Sequence, residues 1–327
     1  MPVAAFVMAT ALVALAGFAT QRGTICAVQA GRDVVERHSW ARFVSFLECA
    51  AWSALILIAA TLIGSSALAQ APAYELGLIP IIGGAVFGLG ALVNGACAFG
   101  SVARLAGGDL SYLAMPPAFL LGAFLAVDRW PPEPLLVDQT EVSNVAILIV
   151  LTPFALWRSV TAIKAARGQG AVRSLRQPVW RPAFAVFVIA SVNAGALLLL
   201  GPWPFTSQLL DVTRDGMGDL VRLAVTVAFI LGAIAGGVTA KRFQLLYPDL
   251  VGLGRRLAGG TLMGIGAALI PGGNDRLVLV DLPLLHAHGI LAYGAMAAAI
   301  ILGLEMNRWA ARIARRNCNQ KQRAVDR

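Results

Sequence analysis

Polar residues divide the sequence into nine apolar segments, most of which are about as long as a helix that crosses a bilayer. About 20 apolar residues are needed, because an α-helix rises about 1.5 Å per residue across a hydrocarbon core of about 30 Å. Charged residues make up only 13% of the chain, against roughly 25% in a soluble domain. We therefore predict an all-α integral membrane protein with about nine transmembrane helices, near residues 2–20, 43–63, 79–95, 110–127, 143–163, 182–201, 219–240, 257–271 and 288–305.

The charges alternate between the two sides of this nine-span pattern. Lys and Arg concentrate in the segments 21–42, 164–181, 241–256 and 306–327. Acidic and neutral residues dominate the other loops, 64–78, 128–142 and 202–218. Cytoplasmic loops carry the excess of basic residues, so we expect a multi-pass protein of the bacterial cytoplasmic (inner) membrane, with its amino terminus outside and its carboxyl terminus in the cytoplasm. The net charge of +9 reflects the excess of basic residues in these loops. We therefore expect the lipid bilayer as a partner and no nucleic acid.

One glycine-rich segment occurs twice. Residues 83–97 read GGAVFGLGALVNGAC and residues 259–273, which lie 176 positions later, read GGTLMGIGAALIPGG. The span count gives the two copies opposite directions across the membrane, which predicts an inverted repeat of four spans, a linking helix and four spans. Such a repeat places a substrate site near the bilayer midplane, where the halves meet. Chance recurrence of glycine-rich helix packing is the alternative.

The repeat divides the chain into four predicted units. They are a first half (1–142), a linking helix with a basic cytoplasmic loop (143–181), a second half (182–305) and a basic cytoplasmic tail (306–327).

Three stretches, 21–31, 95–108 and 271–280, behave neither as spans nor as exposed loops. Each is too short to cross a bilayer, too apolar for an exposed loop, and bounded by glycine or proline, which favours short re-entrant helices. The free N–H groups at the start of such a helix favour an anion. Ordinary interfacial loops are the alternative.

Five residues in or beside these stretches are candidate substrate-binding residues: Cys97, Cys26, Asn94, Arg104 and Asn274. A thiol is a weak donor with a polarisable sulfur, so it suits a soft sulfur anion, although either cysteine could be a small buried apolar residue. The two asparagines could donate N–H groups to an anion or cap the helices that follow them. The arginine could attract an anion or anchor a helix end.

Other polar residues at membrane depth have structural interpretations. Glu48 is expected either to pair with a cation or to reach the interface. Asp275 is expected to pair with Arg276, and His286 and His288 are expected at the surface of an outer loop.

Three segments resemble the signature regions of the YeeE/YedE-type sulfur transport family: QRGTICAVQAGRD, GGAVFGLGALVNGACAFGSVARLAGG and AGGTLMGIGAALIPGG. The most specific element is NG-x-C-x-x-G at residues 94–100, and the resemblance runs from about residue 16 to residue 305. It implies uptake of thiosulfate or related sulfur compounds by thiols that pass the anion along through hydrogen bonds. The first two signature cysteines correspond to Cys26 and Cys97, whereas the third corresponds to Gly273, so this chain lacks that thiol.

The sequence contains no P-loop, dinucleotide fingerprint, metal-ligand spacing or catalytic arrangement, so we predict neither an enzyme nor a cofactor. We expect a permease that takes up a small sulfur-containing anion such as thiosulfate, passed along pore-lining cysteines, with a cytoplasmic sulfurtransferase as the partner that the resemblance implies. The alternatives are a permease for another small solute and a non-transporting membrane scaffold for a sulfur-metabolism complex.

Overall fold

The structure, a computed structural model, describes residues 3–62, 72–127, 129, 134–135, 149, 151–158, 160–161, 177–215 and 220–325. This part of the chain is almost entirely helical, which confirms the all-α prediction. Two short strands are an exception: β1 (Ala73–Tyr74) pairs antiparallel with β2 (Pro134–Leu135). Of the predicted linking helix, residues 149, 151–158 and 160–161 are described, and they are helical. Most of the basic loop after it and most of the outer loops at 64–78 and 128–142 lie outside the described residues.

The helices of the two halves follow the same order of lengths. The first half contains α1 (Val3–Gly23), α2 (Ala27–Arg37), α3 (Ala41–Leu62), α4 (Leu78–Asn94), α5 (Ala98–Ala106), a 3₁₀ turn (Leu110–Ala114) and α6 (Met115–Val127). The second half contains α7 (Pro182–Leu200), α8 (Phe205–Asp215), α9 (Leu220–Thr239), α10 (Leu250–Leu269), α11 (Asn274–Arg276) with a π-helical turn (Leu277–Asp281), and α12 (Ala287–Val325). With the 3₁₀ turn counted as part of α6, each half therefore consists of a long helix, a short one, two long ones, a short one and a long one.

Seven helical stretches in the described ranges are long and apolar enough to cross a membrane: Val3–Arg37, Ala41–Leu62, Leu78–Ala106, Leu110–Val127, Pro182–Thr213, Leu220–Thr239 and Ala287–Arg315. These stretches confirm a multi-pass membrane protein. Helix α10 is long enough but is not among them, because Arg255, Arg256 and its many glycines lower its hydropathy.

The duplicated segments form α4 and α10, which pack directly against each other in antiparallel directions. A Cβ atom at Gly266 would lie 2.7 Å from the Gly83 carbonyl oxygen, and one at Gly90 would lie 2.8 Å from the Gly259 carbonyl oxygen. Only glycine allows backbones to approach this closely, and small residues favour such contacts between membrane helices. Two of the four shared glycines of each copy thus face the other copy, the first of one copy against the last of the other.

Each of the four short helices follows a residue with positive φ. These residues are Thr24 (49°), Gly95 (82°), Gly201 (75°) and Gly272 (145°), before α2, α5, α8 and α11 respectively. A positive φ reverses the helical path, and glycine adopts it without a steric penalty. The chain can therefore begin a new helix at an angle to the long helix before it.

The segments predicted to be cytoplasmic lie together at one end of the structure. Arg22 Nη1 donates to the Gln177 carbonyl oxygen at 2.5 Å, and Gln244 N donates to the Gly107 carbonyl oxygen at 2.9 Å. Arg308 donates to the Val35 carbonyl oxygen. Segments far apart in sequence thus form one basic face.

Candidate functional site

Two thiols meet where α2 and α5 begin. Cys26 and Cys97 are the residues immediately before these helices, and their sulfurs lie 3.8 Å apart. The first backbone N–H of α2, from Ala27, donates to the Cys97 sulfur at 3.2 Å. Cys97 is fully buried and Cys26 partly buried, and neither forms a disulfide. The structure therefore brings together the two predicted thiols and places both at helix N-termini.

The Cys26 side chain packs against the backbone of α5. A Cβ atom at Gly100 would lie only 2.5 Å from the Cys26 sulfur. The glycine of the NG-x-C-x-x-G element is thus required for the close approach of the two short helices.

Asn274 links the second half of the chain to this thiol pair. Its Nδ2 donates to the Cys97 sulfur at 3.3 Å, and its Oδ1 accepts the Ala98 N–H, the first of α5, at 3.1 Å. Asn274 is fully buried. It satisfies a free N–H group of a helix from the other half, which neither predicted role anticipated.

Unlike Asn274, Asn94 makes its side-chain hydrogen bonds near the turn between α4 and α5 and not to a thiol. Its Nδ2 donates to the Ala96 carbonyl oxygen at 2.7 Å and to Ser101 Oγ at 2.8 Å, so both amide hydrogens are used within the turn between α4 and α5. The guanidinium of Arg256 donates to the Asn94 carbonyl oxygen and lies over the Tyr112 ring. Asn94 thus braces the turn that presents Cys97.

A cavity of about 460 Å³ opens on the basic face and reaches Cys26. Four arginines line it: Arg32, Arg42, Arg104 and Arg242. Arg104 is exposed within it, as expected of a residue that attracts an anion, whereas Cys97 lies behind Cys26 and does not line the cavity. In the sequence, the other three arginines indicated only the orientation of the protein in the membrane. They lie in separate segments, so the cavity that they share was not predictable.

The second half carries a different set of side chains at its short helices. Thr206, at the start of α8, accepts the Gly273 N–H on its hydroxyl oxygen at 2.7 Å. The Thr206 N–H donates to Asp275 Oδ2 at 2.9 Å, and the Thr206 hydroxyl donates to Asp275 Oδ1. A Cβ atom at Gly273 would lie 2.7 Å from Thr206 Cγ2. The threonine therefore fills the space that a third thiol would need.

The prediction of an outer loop at 202–218 was wrong for residues 205–215, which form α8. The start of this helix and the residues before it are buried: Trp203, Phe205, Thr206, Ser207, Gln208 and Leu210. The apolar WPF sequence followed by an amphipathic segment was the signal that could have revealed it. The acidic residues of the segment concealed it.

Two interpretations of the polar residues were also wrong. Asp275 does not pair with Arg276, because Arg276 Nε lies 3.4 Å from Asp281 Oδ2 and its Nη2 donates to the Pro72 carbonyl oxygen at 3.2 Å. His286 and His288 are buried rather than at the surface, because both rings face the Asp281 carboxylate. Glu48 adopts the paired alternative, with Arg158 Nη2 2.7 Å from its Oε2.

Asp281, His286 and His288 form the group in the described residues whose ligand atoms are close enough to hold a metal ion. The hydrogen bonds oppose this role. His288 Nδ1 accepts the Tyr74 N–H at 3.2 Å, so the proton of the neutral ring resides on Nε2, which then has no lone pair for a metal. The guanidinium of Arg276 already neutralises the carboxylate. The cluster is a hydrogen-bonded network that ties β1 to the start of α12.

Comparison with known proteins agrees with the motifs. The sequence profile of the family described as Sulphur transport matches residues 22–302. The thiosulfate transporter TsuA of Escherichia coli (strain K12) is 26% identical over an alignment of 303 residues. The match covers 79% of this chain and 82% of the relative. Both are transporters, which confirms the prediction that the chain is not an enzyme. Because the profile spans most of the chain and includes Cys26, Cys97 and Asn274, the protein belongs to the sulphur transport family, the YeeE/YedE type that its motifs resemble.

Proposed function

We propose that this protein takes up thiosulfate across the cytoplasmic membrane and passes it from Cys97 to Cys26 and into the arginine-lined cavity. The observation that carries the proposal is the thiol pair, 3.8 Å apart, with one member at the inner end of the cavity. Membership of a sulphur transport family and similarity to a thiosulfate transporter support this choice of cargo.

The chemistry of the pair suits a soft anion. Both sulfurs lie at the start of short helices, where free N–H groups favour negative charge. A thiol is a weak donor, so two thiols in series would replace part of the lost hydration and still release the anion. The four cavity arginines, of which Arg42 also pairs with Asp33 at 2.7 Å, then attract the anion towards the basic face.

Inward transport is part of this proposal, and the charge distribution supports it. The basic segments meet at one face, which the positive-inside rule assigns to the cytoplasm, with the amino terminus outside. An anion that moves from Cys97 to the cavity would therefore move inward. A cytoplasmic sulfurtransferase at that face would consume the cargo, and binding of such an enzyme to the basic cavity mouth is part of the proposal.

We also propose that the halves are inverted repeats of each other. The common order of helix lengths supports this, as does the pairing of Gly83 with Gly266 and of Gly90 with Gly259. Ala98 and Asn274, which are 176 residues apart like the duplicated segments, contact each other at 3.1 Å. Contact between equivalent positions is expected near a two-fold axis, where transporters of this kind bind substrate.

The test is uptake of labelled thiosulfate into proteoliposomes by the parent and by Cys97→Ala and Cys26→Ala. Each substitution should lower the initial rate about tenfold or more, since each removes a donor worth about 1–1.5 kcal/mol from the path. Cys49→Ala is the matched control, because Cys49 is a cysteine buried within α3, and its uptake should equal that of the parent.

The outcomes separate the alternatives. Uptake that survives both thiol substitutions would contradict the thiol path, and no uptake by the parent would contradict thiosulfate as cargo. Glycine at position 273 favours a second candidate, a permease for another small anion. At that position the second half offers the Asn274 amide and the Thr206 hydroxyl rather than a thiol. Competition by unlabelled sulfate, sulfite and thiocyanate tests that candidate. A non-transporting scaffold predicts no flux with any of them.

A further inference from the structure

Asp275 is a buried carboxylate whose partners among the described residues are uncharged. It is 2% exposed, and it accepts hydrogen bonds from the Thr206 N–H and the Thr206 hydroxyl. A buried carboxylate is normally paired with a cation, because an ionised group without one costs several kcal/mol. In a membrane protein such a residue marks a substrate or proton pathway by default.

The charged groups around Asp275 are engaged elsewhere in the described residues. On its own helix, Arg276 pairs with Asp281 and lies over the Tyr74 ring. Asp281, in the π-helical turn, lies 3.0 Å from His286 Nδ1 and 3.6 Å from Nε2 of His288, which is in α12. In α8, Asp211 pairs with Arg222.

The remaining neighbours of Asp275 are uncharged or are part of the anion path. Helix α5 contacts α11 and contributes Cys97, which Asn274, the residue before Asp275, contacts at 3.3 Å. Helix α4 contributes the Phe87 ring beside Gly273. No cation in the described ranges lies within ion-pair distance of Asp275, while the path for a negative charge passes one residue away.

We propose that Asp275 couples uptake to protons: it binds one proton from the outer side, is neutral while the anion passes Cys97, and releases the proton to the inner side. This inference rests on the proposed function. An ionised carboxylate beside the path would repel the cargo, and protonation removes that repulsion. The balance is one proton in with each anion, held as a carboxylic acid and released as a carboxylate and a proton.

The hydrogen bonds around Thr206 fit both protonation states. A hydroxyl can donate once and accept twice. With an ionised Asp275, the Thr206 hydroxyl donates to Oδ1 while it accepts the Gly273 N–H. With a protonated Asp275, the hydroxyl hydrogen rotates away from Oδ1 and the acid proton is donated to the same hydroxyl oxygen. The site can therefore exchange its proton without rearrangement of the backbone.

A structural role as the cap of α8 is the competing explanation, and Asp275→Asn separates the two. Asparagine accepts the Thr206 N–H as aspartate does, and asparagine and aspartate are equally good caps. It cannot bind or release a proton. The variant should therefore fold and conduct the anion while coupling is lost.

The experiment uses the full chain in proteoliposomes with the membrane potential clamped at zero. Exchange of labelled for unlabelled thiosulfate is measured at equal pH on both sides, and accumulation is measured with the outside more acid by about one pH unit. One proton per anion predicts that the parent accumulates thiosulfate about tenfold, since one pH unit corresponds to a factor of ten. Thiosulfate itself stays ionised under these conditions.

Asp275→Asn should exchange thiosulfate within about twofold of the parent, because its cap is preserved, but should not accumulate it. Glu305→Gln is the control, since Glu305 is an exposed carboxylate on α12 and its loss should leave accumulation unchanged. Accumulation by Asp275→Asn equal to that of the parent would overturn the inference. A parent that exchanges but does not accumulate would also overturn it, whereas a parent that does not exchange contradicts the proposed function.

A direct proton measurement on the parent decides the matter even if Asp275→Asn does not fold. A pH-sensitive dye trapped in the vesicles should report acidification when thiosulfate enters down its own gradient. Thiosulfate entry without acidification would refute proton coupling.

Discussion

The two halves of the protein place their short helices alike but give them different chemistry. In the first half, α2 and α5 begin at Cys26 and Cys97, whose sulfurs are in contact and lead to a basic cavity. In the second half, α8 and α11 begin near Thr206 and Gly273, and the carboxylate of Asp275 receives the hydrogen bonds. The backbone therefore determines where the ends of four helices meet, and the side chains at those ends determine what can bind there.

The difference is most instructive at positions 97 and 273, which the duplicated segment makes equivalent. Cys97 has room for its sulfur beside Cys26, and Asn274 donates to it from the other half. Gly273 has no such room, because Thr206 Cγ2 occupies it. The Thr206 side chain thus occupies the space beside Gly273, and the Asn274 amide is the contact that the second half makes with Cys97.

The largest expected effect comes from breaking the link between the halves with Asn274→Ala. The Ala98 N–H would be left buried without a partner and Cys97 would lose a donor, which should lower the free energy of unfolding by about 3 kcal/mol and slow uptake strongly. Thermal unfolding in detergent and thiosulfate uptake are the measurements.

Asn193→Ala is the matched control for that link. Asn193 is also a fully buried asparagine, and its Nδ2 donates to the Leu279 carbonyl oxygen at 2.7 Å rather than to a thiol. It should destabilise the protein comparably and affect uptake less. Equal loss of uptake in both variants would mean that Asn274 acts on stability alone.

Gly273→Ala should be the next most disruptive change. Its methyl group would overlap Thr206 Cγ2 and the edge of the Phe87 ring, at a cost of about 2 kcal/mol in the free energy of unfolding. Thr206→Ser in the Gly273→Ala background removes Cγ2 but keeps the hydroxyl that accepts the Gly273 N–H, so it should recover part of the lost stability. No recovery would show that Thr206 does not set the space at position 273.

Cys97→Ser sharpens the comparison between thiol and hydroxyl. The hydroxyl can accept the Ala27 N–H as the sulfur does, so the helix geometry should persist. It is a harder and less polarisable group, and we expect uptake of thiosulfate to fall about tenfold, which corresponds to about 1.4 kcal/mol. The ratio of thiosulfate to sulfate transport, measured by competition, should shift towards sulfate. An unchanged ratio would argue against selection by the thiol.

The smallest effect is expected at the cavity, which the first half largely provides. Arg104→Gln should raise the KM for thiosulfate about threefold without a change in kcat, because one of four arginines that attract the anion is lost. Added salt should weaken the parent more than the variant, since screening acts on the same attraction. Arg312→Gln is the control, since Arg312 is an exposed arginine in the C-terminal part of α12, and it should leave KM unaltered.

Much of the architecture was predictable because it depends on local sequence. Apolar runs of bilayer length predicted the long helices, and glycine or proline at the ends of 21–31, 95–108 and 271–280 predicted three of the four short ones. The fourth, α8, was missed because its acidic residues resemble an outer loop, whereas its burial depends on contacts with α6 and α11. Its sequence alone does not contain those contacts.

The candidate site was predictable in part for the same reason. Cys26, Cys97 and Arg104 were identified from their motif, and the structure brings the two thiols into contact and places Cys26 and Arg104 in one cavity. The partners of Asn274 and Asp275 were not, since Asn274 bonds to residues 176 and 177 positions away and Asp275 bonds to a residue 69 positions away. Arg276 likewise pairs with Asp281 rather than with Asp275, because the π-helical turn brings Asp281 Oδ2 to 3.4 Å from Arg276 Nε.

By itself, the sequence determined that this chain spans a membrane, that one segment occurs twice, and that a thiol is present in one copy and absent from the other. These properties are carried by hydropathy, spacing and residue identity along the chain. Only the tertiary structure decided that the thiols touch, that Thr206 occupies the space beside Gly273, and that no cation among the described residues pairs with Asp275. Such relations depend on distances between segments that are far apart in sequence, and those distances are fixed only when the helices pack.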